Sequence, residues 1–244
     1  MALSLSLDFC SDETANTLIK STLPRVTTGV FLLVLLLSLK QLQSDFSRFG
    51  KKMLWCVPCL LTVVANFPFS ALASHTATVN RANLIWLFAL ECFSVGLMEE
   101  LFFRGIVHNF VKSKLANKTN GYFWSVITSS ALFAVWHLLN LLDGAGVGAT
   151  LLQTGYSFLI GAMLAVTLDK TKNVWICVVF HTLFNFGGNL VETLGQGTPW
   201  DAGFWIATAL CGTLCCAHVV LEICKRNKTQ NLNSQTENNT KQTV

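Results

Sequence analysis

The feature that most constrains the fold is the recurrence of long apolar runs along the chain. Each run approaches the roughly 20 residues that an α-helix needs to cross a bilayer. In lipid, the backbone of each run must satisfy its own hydrogen bonds, which a helix does. The sequence therefore predicts an all-α, polytopic transmembrane helix bundle with about seven spans, within a range of six to eight. The segments are approximately 24–42, 53–74, 84–110, 121–142, 145–168, 173–194 and 203–224.

Composition supports a membrane protein and excludes an ordinary soluble domain. Of the 244 residues, 52% are hydrophobic and only 12% are charged, whereas soluble domains carry about 25% charged residues. The net charge of +4 lies mainly in the connections between apolar runs, so it does not indicate a nucleic-acid partner. The expected partners are membrane lipid and a peptide or protein substrate, with no nucleic acid.

The distribution of lysine and arginine predicts the orientation of the spans. Four of these cations lie between Lys40 and Lys52, and four more between Arg104 and Lys118, whereas the alternate connections hold almost none. Because cytoplasmic loops are enriched in such residues, we expect the N-terminus outside and the C-terminus in the cytosol. The location is then an integral, multi-pass one, in the plasma membrane of a prokaryote or the endoplasmic reticulum of a eukaryote.

The chain divides into three parts on the same grounds. Residues 1–23 are expected to form a short N-terminal segment, and residues 24–224 a transmembrane helical domain. Residues 225–244 are polar and free of aromatic side chains, which is typical of disordered segments. We therefore expect a disordered cytosolic tail.

Ionisable residues within the third apolar segment need an explanation. Glu99, Glu100 and Arg104 lie in the stretch "LMEELFFRG", and each charge at mid-bilayer costs roughly 2.5–3.5 kcal/mol on insertion scales. Glu100 and Arg104 stand at i, i+4 and can pair on one helix face. Glu99 lies about 100° around the helix from Glu100, so the two carboxylates are expected to have different partners.

Two further segments carry polar residues at comparable depth. The fourth contains His137 in "FAVWH", and the sixth contains His181 and Asn185 in "HTLFN". At about 1.5 Å per residue, these side chains can converge with Glu99 around a polar intramembrane cavity, which we expect to open to the cytosol. A carboxylate or imidazole can take a proton from water, and a histidine N–H with an asparagine amide can stabilise an oxyanion.

The three motifs together resemble those of a known family. "EELFFR" is similar to the E-E-x-x-x-R motif of the CAAX-protease and bacteriocin-processing (CPBP) membrane proteins, "FAVWH" to their F-x-x-x-H motif, and "HTLFN" to their H-x-x-x-N/D motif. The resemblance covers about residues 84–194. It implies an intramembrane endopeptidase of glutamate type, whose substrate is a membrane-associated, prenylated CAAX-type or bacteriocin-like peptide.

The resemblance also implies a role for each motif residue. Glu99 would activate water with the help of His137, and His181 with Asn185 would form the oxyanion site. Phe133 would pack beside the site without taking part in the chemistry.

The remaining motif residues, Glu100 and Arg104, would hold the helix and tune Glu99. No cofactor is expected under this interpretation.

Three alternatives remain open at the level of sequence. His137, His181 and Glu99 could form a His₂Glu zinc site with a free fourth position. A transporter or proton relay also uses buried glutamate, histidine and asparagine. A catalytically inactive bacteriocin-immunity protein could retain the same motifs.

Overall fold

A computed structural model describes residues 8–47 and 49–242, with side chains described as far as Leu232. Residues 1–7 of the expected N-terminal segment and the last two residues of the expected tail lie outside this description. Helices dominate the described part of the chain. In order, the elements are α1 (Glu13–Ser38), α2 (Phe49–Trp55), α3 (Val57–Ala65), α4 (Phe69–Ala73), β1 (Ala77–Val79), a 3₁₀ turn (Ala82–Leu84), α5 (Ile85–Glu100), a π-helix (Leu101–His108), α6 (Asn109–Leu115), α7 (Gly121–Trp136), a 3₁₀ segment (His137–Leu141), α8 (Val147–Thr171), α9 (Val174–Leu194), β2 (Gly195–Gly197) and α10 (Ala202–Gln242).

The first helix begins about three turns earlier than the sequence predicted. Asp12 caps α1 by accepting a hydrogen bond from the Ala15 backbone N–H at 2.9 Å, which satisfies one of the free donors at a helix start. Pro24, which marked the expected start at residue 24, lies inside the helix instead. The hydrophobic run alone could not indicate this start, because the first turns of α1 are polar.

The second apolar segment is not one helix. It is divided into α2, α3 and α4, with Pro58 in the first turn of α3 and Pro68 immediately before α4. Proline lacks an N–H donor and disfavours helical backbone in the residue before it, so the breaks follow the proline positions.

The third segment is continuous but not uniformly α-helical. α5 passes into the π-helix at Leu101, directly after the two glutamates, and returns to α-helix at Asn109. π-helical turns are rare and occur most often at functional sites. The charged stretch therefore changes the helix geometry without interrupting the helix.

Contacts between loops define two ends of the bundle. At the lysine-rich end, which holds Lys40, Lys52, Lys112, Lys172 and Lys225, two connections meet. The side chain of Asn173, at the start of α9, donates to the Asp45 carbonyl at 3.2 Å.

At the opposite, lysine-poor end, the loops after α4 and α9 meet. Arg81 forms an ion pair with Asp12 at 2.7 Å, and the Ser70 hydroxyl donates to the Asp201 carboxylate at 2.6 Å. β1 and β2 pair antiparallel at this end. Gly195 and Gly197 permit the pairing, since a Cβ at either would lie 2.1–2.2 Å from a carbonyl oxygen of the facing strand or its preceding residue.

Many large apolar side chains point outward from the bundle. Phe31 on α1, Trp86 on α5 and Leu210 on α10 are 65%, 83% and 63% exposed, and apolar patches of this kind mark contact with lipid or another protein. Within the described residues, five helices are long and apolar enough to cross a membrane: Glu13–Ser38, Gly121–Leu141, Val147–Thr171, Val174–Leu194 and Ala202–Leu232. The all-helical architecture is confirmed, while the count of about seven spans stays a prediction.

The last helix differs from the expected boundary. α10 continues past residue 224 to Gln242, where the sequence analysis expected disorder from residue 225. The Gln230 side chain accepts a hydrogen bond from the Tyr122 backbone N–H at 2.8 Å, and Asn227 donates to Asn120 at 2.6 Å. This part of the tail packs against the loop before α7.

We predict that the close approach of α5 and α9 depends on Gly96. A Cβ there would lie 2.8 Å from the Thr182 hydroxyl oxygen and 3.1 Å from the Val178 carbonyl oxygen, so Gly96→Ala should force the helices apart and cost about 1–3 kcal/mol. Gly155→Ala is the matched control, since its Cβ would meet nothing within 4 Å. The measurement is thermal unfolding in detergent, and equal melting temperatures for both variants would contradict the prediction.

Candidate active site

The helical stretch from α5 into the π-helix points the two adjacent glutamates at different partners. Glu100 is fully buried, whereas Glu99 is 9% exposed and lines a cavity. The sequence analysis expected different partners from the roughly 100° between successive residues. In the structure Arg104 pairs with Glu100, whereas His181 lies near both carboxylates.

One carboxylate oxygen of Glu100 contacts two other polar side chains. This oxygen, Oε1, lies 3.0 Å from Arg104 Nη1 and 2.7 Å from His181 Nδ1. The contact to Arg104 is a close ion pair without hydrogen-bond alignment, since Nη1 has no hydrogen-bond partner among the described residues. Arg104 is only 2% exposed. Glu100 therefore joins α5 to α9, a contact that the sequence analysis did not identify.

Arg104 is also held by an aromatic ring. Its guanidinium carbon lies 4.4 Å from the centroid of the Phe133 ring, a favourable cation–π distance. The same ring packs edge-on against His137 at 5.0 Å and His181 at 5.9 Å. Phe133 thus packs beside the site, and its ring contacts Arg104, His137 and His181.

Gly161 on α8 was not singled out from the sequence. A Cβ there would lie 3.2 Å from both the Phe133 ring and the Ser130 Cα, so the glycine allows α8 to approach α7 closely. Its carbonyl accepts a long hydrogen bond from Arg104 Nη2 at 3.4 Å. A lone glycine in an apolar helix gives no sequence signal for such a contact.

Three buried polar atoms of the site lack a hydrogen-bond partner among the described residues, namely Glu99 Oε2, Glu100 Oε2 and Arg104 Nη1. Of these three residues, Glu99 is the one that lines the cavity. Its Oε2 is buried and has no hydrogen-bond partner among the described residues. His181 Nε2 lies 3.7 Å from this oxygen, too far for a hydrogen bond. A buried carboxylate oxygen without a partner is costly, so this group is a strong candidate for a direct role in chemistry.

His137 is oriented by its own helix. Its Nδ1 lies 3.0 Å from the Phe133 carbonyl oxygen. Because a carbonyl can only accept, Nδ1 is the protonated nitrogen, and Nε2 of the neutral ring is left as an acceptor. The side chain lines the same cavity as Glu99.

The cavity has a volume of about 370 Å³, within the range of small-molecule sites. Four of the six predicted site residues line it, while Glu100 and Arg104 lie behind its wall. The four are Glu99, His137, His181 and Asn185.

The cavity does not extend in the expected direction. Its further polar lining includes Ser21 on α1, Glu91 on α5, Gln153 on α8 and Asn189 on α9, all in the half of each helix nearer the lysine-poor end. Glu91 is neutralised there by an ion pair with Arg25 of α1. The expectation of an opening at the lysine-rich, cytosolic end is therefore not supported, because helix spacing from sequence gives depth but not the direction of a channel.

A second buried polar cluster was also missed. His108 lies in the π-helix, and its Nδ1 and Nε2 are 2.9 Å from the Ser129 hydroxyl and the Asp169 carboxylate. The order of groups is that of a serine-hydrolase triad, but all three are 5% exposed or less and none lines a described cavity. We interpret the cluster as a lock between the π-helix, α7 and α8.

The described residues show no preformed zinc site. In the part of the chain that the structure describes, no group of three histidine, cysteine, aspartate or glutamate side chains is arranged to hold a metal ion. His181 directs Nδ1 to Glu100, and His137 directs Nδ1 to its own backbone, so Nε2 would be the ligand atom of either ring. Because no ligand set is assembled, we derive no step through a metal.

Apolar helices thus surround a cavity that is lined by one glutamate with an unpartnered oxygen and by two histidines. Residues 81–187 match the model of a family described as type II CAAX prenyl endopeptidase Rce1-like. The family recognised from the three motifs is confirmed for this central region, which contains all six site residues. This match indicates a CAAX protease-type peptidase, and with the apolar helices it indicates an integral membrane protein. No curated protein and no solved structure matches the chain.

We predict that the Glu100–Arg104 pair stabilises the fold only as a pair. Arg104→Met leaves a buried carboxylate without its cation and should cost about 3–5 kcal/mol. The double variant Glu100→Leu with Arg104→Met removes both charges and should recover much of that loss. Thermal unfolding in detergent gives the comparison.

Lys20→Met serves as the control for the same chemical change at a solvent-exposed pair, because Lys20 bonds the exposed Asp8. Its melting temperature should stay near that of the wild type. Glu100→Leu is also measured alone, and a double-variant loss equal to the sum of the losses in Arg104→Met and Glu100→Leu would contradict a coupled pair.

Proposed function

We propose that this protein is an intramembrane endopeptidase in which Glu99 activates water to hydrolyse a peptide bond. The observation that carries the proposal is the buried, unpartnered Oε2 of Glu99 in a cavity shared with His137, His181 and Asn185. The Rce1-like family match over residues 81–187 supports the same reaction class.

The chemistry follows from the positions of these groups. Glu99 takes a proton from water, and the resulting hydroxide attacks the carbonyl carbon of the scissile bond. His137, whose Nε2 is an acceptor, holds and orients the water. The carbonyl oxygen becomes an oxyanion that accepts hydrogen bonds from the Asn185 amide and His181. The proton on Glu99 then passes to the leaving nitrogen as the C–N bond breaks, giving a carboxylate and an amine.

The proposed role of His181 as a donor to the oxyanion depends on which of its ring nitrogens carry hydrogen. Its Nδ1 lies 2.7 Å from Glu100, and a carboxylate requires the hydrogen to be on Nδ1. Nε2 can therefore donate to an oxyanion only when the ring is an imidazolium. By accepting the hydrogen bond from Nδ1, Glu100 fixes the orientation of the ring and acts as a positioning residue for His181.

The substrate class follows from where the cavity lies. Its lining is mainly polar but includes the apolar side chains Met98, Trp136 and Ile160, and the helices that form it expose apolar surface outward. A peptide reaches such a site when a lipid or hydrophobic segment first holds it in the membrane. We therefore propose a membrane-associated peptide, and a prenylated CAAX-type peptide is the first to test because of the family match.

We predict that Glu99→Gln lowers the cleavage rate of a quenched fluorescent farnesylated peptide by about 10²–10⁴-fold, since it removes the general base while keeping size and hydrogen bonding. The matched control is Glu192→Gln, the same change at an exposed position on α9 outside the cavity. It should cleave at the wild-type rate.

The same assay separates the alternatives. Wild-type activity in Glu99→Gln would sink the glutamate mechanism. Loss of activity with a chelator, restored by zinc, would identify a metalloprotease, and no cleavage of farnesylated, bacteriocin-leader or unmodified peptides by wild-type protein would favour the non-catalytic immunity or transport class.

We predict that Asn185→Ala reduces the catalytic rate about 10²–10³-fold with little change in KM, as expected for a donor that acts on the developing oxyanion. Asn189→Ala, one helical turn further along the same cavity wall, is the control and should change KM more than the rate. Steady-state kinetics with the same peptide test this difference. An unchanged rate in Asn185→Ala would place the oxyanion donors elsewhere.

A further inference from the structure

A second large cleft lies at the lysine-rich end, separate from the candidate active site. It has a volume of about 780 Å³ and is formed by α6, the start of α7, the end of α8 and α10. None of its lining residues belongs to the three motifs.

The lining of this cleft is strongly basic. Lys112, Lys170, Lys172, Lys225 and Arg226 line it, against a single lining carboxylate, Glu222. A second carboxylate, Asp169, lies beneath the surface and is 1% exposed. Five cations thus face two anions, which leaves an excess of positive charge.

The two carboxylates do not neutralise the cations one to one. Asp169 forms ion pairs with Lys112 and, at 3.7 Å, with Lys172. Glu222 contacts Lys170 at 3.1 Å and Arg226 at 2.8 Å. Burial, followed by the neighbouring Lys112 ammonium, lowers the pKa of Lys172, as expected where cations crowd together.

Tyr122 supplies an uncharged donor in the same cleft. Its side chain is 8% exposed, and its hydroxyl is buried without a hydrogen-bond partner among the described residues. The Arg226 guanidinium lies 5.5 Å from the centre of the Tyr122 ring. A buried hydroxyl beside a guanidinium and several ammonium groups is a donor set suited to phosphate oxygens.

The cleft lies where a lipid headgroup would be found. Phe110 on α6 and Trp124 on α7 flank it and are 60% and 51% exposed, and exposed aromatic side chains are typical of the membrane–water interface. Basic pockets between helices on the cytoplasmic side are a known physical solution for binding anionic headgroups.

We propose that this cleft binds the phosphate headgroup of an anionic membrane lipid. Lys172 and Lys225 are its most accessible cations, Arg226 provides a planar fork, and the Tyr122 hydroxyl donates to a phosphate oxygen. One polar face of α10 completes the site, since Glu222, Arg226 and Thr229 lie at helical spacing on one side of that helix and line the cleft.

The test uses the full chain in detergent and native mass spectrometry with short-chain phosphatidic acid as the probe. The wild type should retain one tightly bound lipid, and Lys172→Gln with Lys225→Gln should weaken its binding about tenfold or more. The control pair is Lys114→Gln with Lys118→Gln, which removes the same charge at the same end but outside the cleft. It should bind as the wild type does. Equal weakening in both pairs would reduce the effect to general electrostatics and overturn the site.

Two further measurements test the proposal independently of the lysine variants. Tyr122→Phe removes only a hydroxyl and should weaken binding several-fold, which decides the matter if the double lysine variant melts at a lower temperature without lipid. Inorganic phosphate should compete weakly. If it binds as tightly as phosphatidic acid, or if only an acidic peptide binds, the lipid assignment is wrong.

Discussion

The carboxylate of Glu100 is the group on which the candidate site depends. One of its oxygens contacts both Arg104 on the π-helix and His181 on α9, and all three side chains are almost completely buried. Buried charges persist only when they are paired, so each partner fixes the position of the others. Because Glu100 neutralises Arg104, the adjacent Glu99 is left without a cation in hydrogen-bond contact. The two neighbouring carboxylates therefore differ in their surroundings: Glu100 is paired with Arg104, and Glu99 lines the cavity.

The helix geometry produces the separation. The change from α-helix to π-helix comes at Leu101, directly after Glu100, and the wider turns of a π-helix alter the direction of the side chains that follow. Arg104 and His108 both lie in this segment, and each forms a buried polar contact with another helix. The π-helix therefore contributes residues to two buried clusters, the candidate active site and the Ser129–His108–Asp169 cluster.

Sequence reasoning succeeded where an interaction is set by spacing along one helix. The i, i+4 distance between Glu100 and Arg104 predicted their ion pair, and the position of Glu99 about 100° away predicted its independence. It failed where the partner is distant in sequence. The contact of Glu100 with His181 joins residues 81 positions apart, and the contacts of His108 could not be found from the three motifs because none of them contains it.

Boundaries failed for a related reason. Hydropathy marks the apolar part of a helix, but α1 begins with polar turns, and α10 continues into a polar tail whose contacts are with the loop before α7. Pro58 and Pro68 could have predicted the division of the second segment into α2, α3 and α4. The segment was instead predicted as one span because its residues are apolar throughout. A hydropathy average over many residues does not detect a capping residue, a single proline or a tertiary contact.

The two clefts occupy opposite halves of the bundle, and their chemistry explains why. The candidate active site must keep water scarce, because in a low-dielectric cavity each hydrogen-bond donor acts more strongly on a developing charge. Its additional ions, Arg25 and Glu91, are accordingly paired with each other. The basic cleft instead keeps an excess of cations, which the high dielectric of a membrane surface tolerates. An anionic headgroup bound there would neutralise charge on α6, α8 and α10 together and hold their ends in register. Since α8 lines the active-site cavity and the π-helix that precedes α6 places Arg104 behind the cavity wall, stabilising that end would also limit how far Gly161 and Arg104 can move from Phe133.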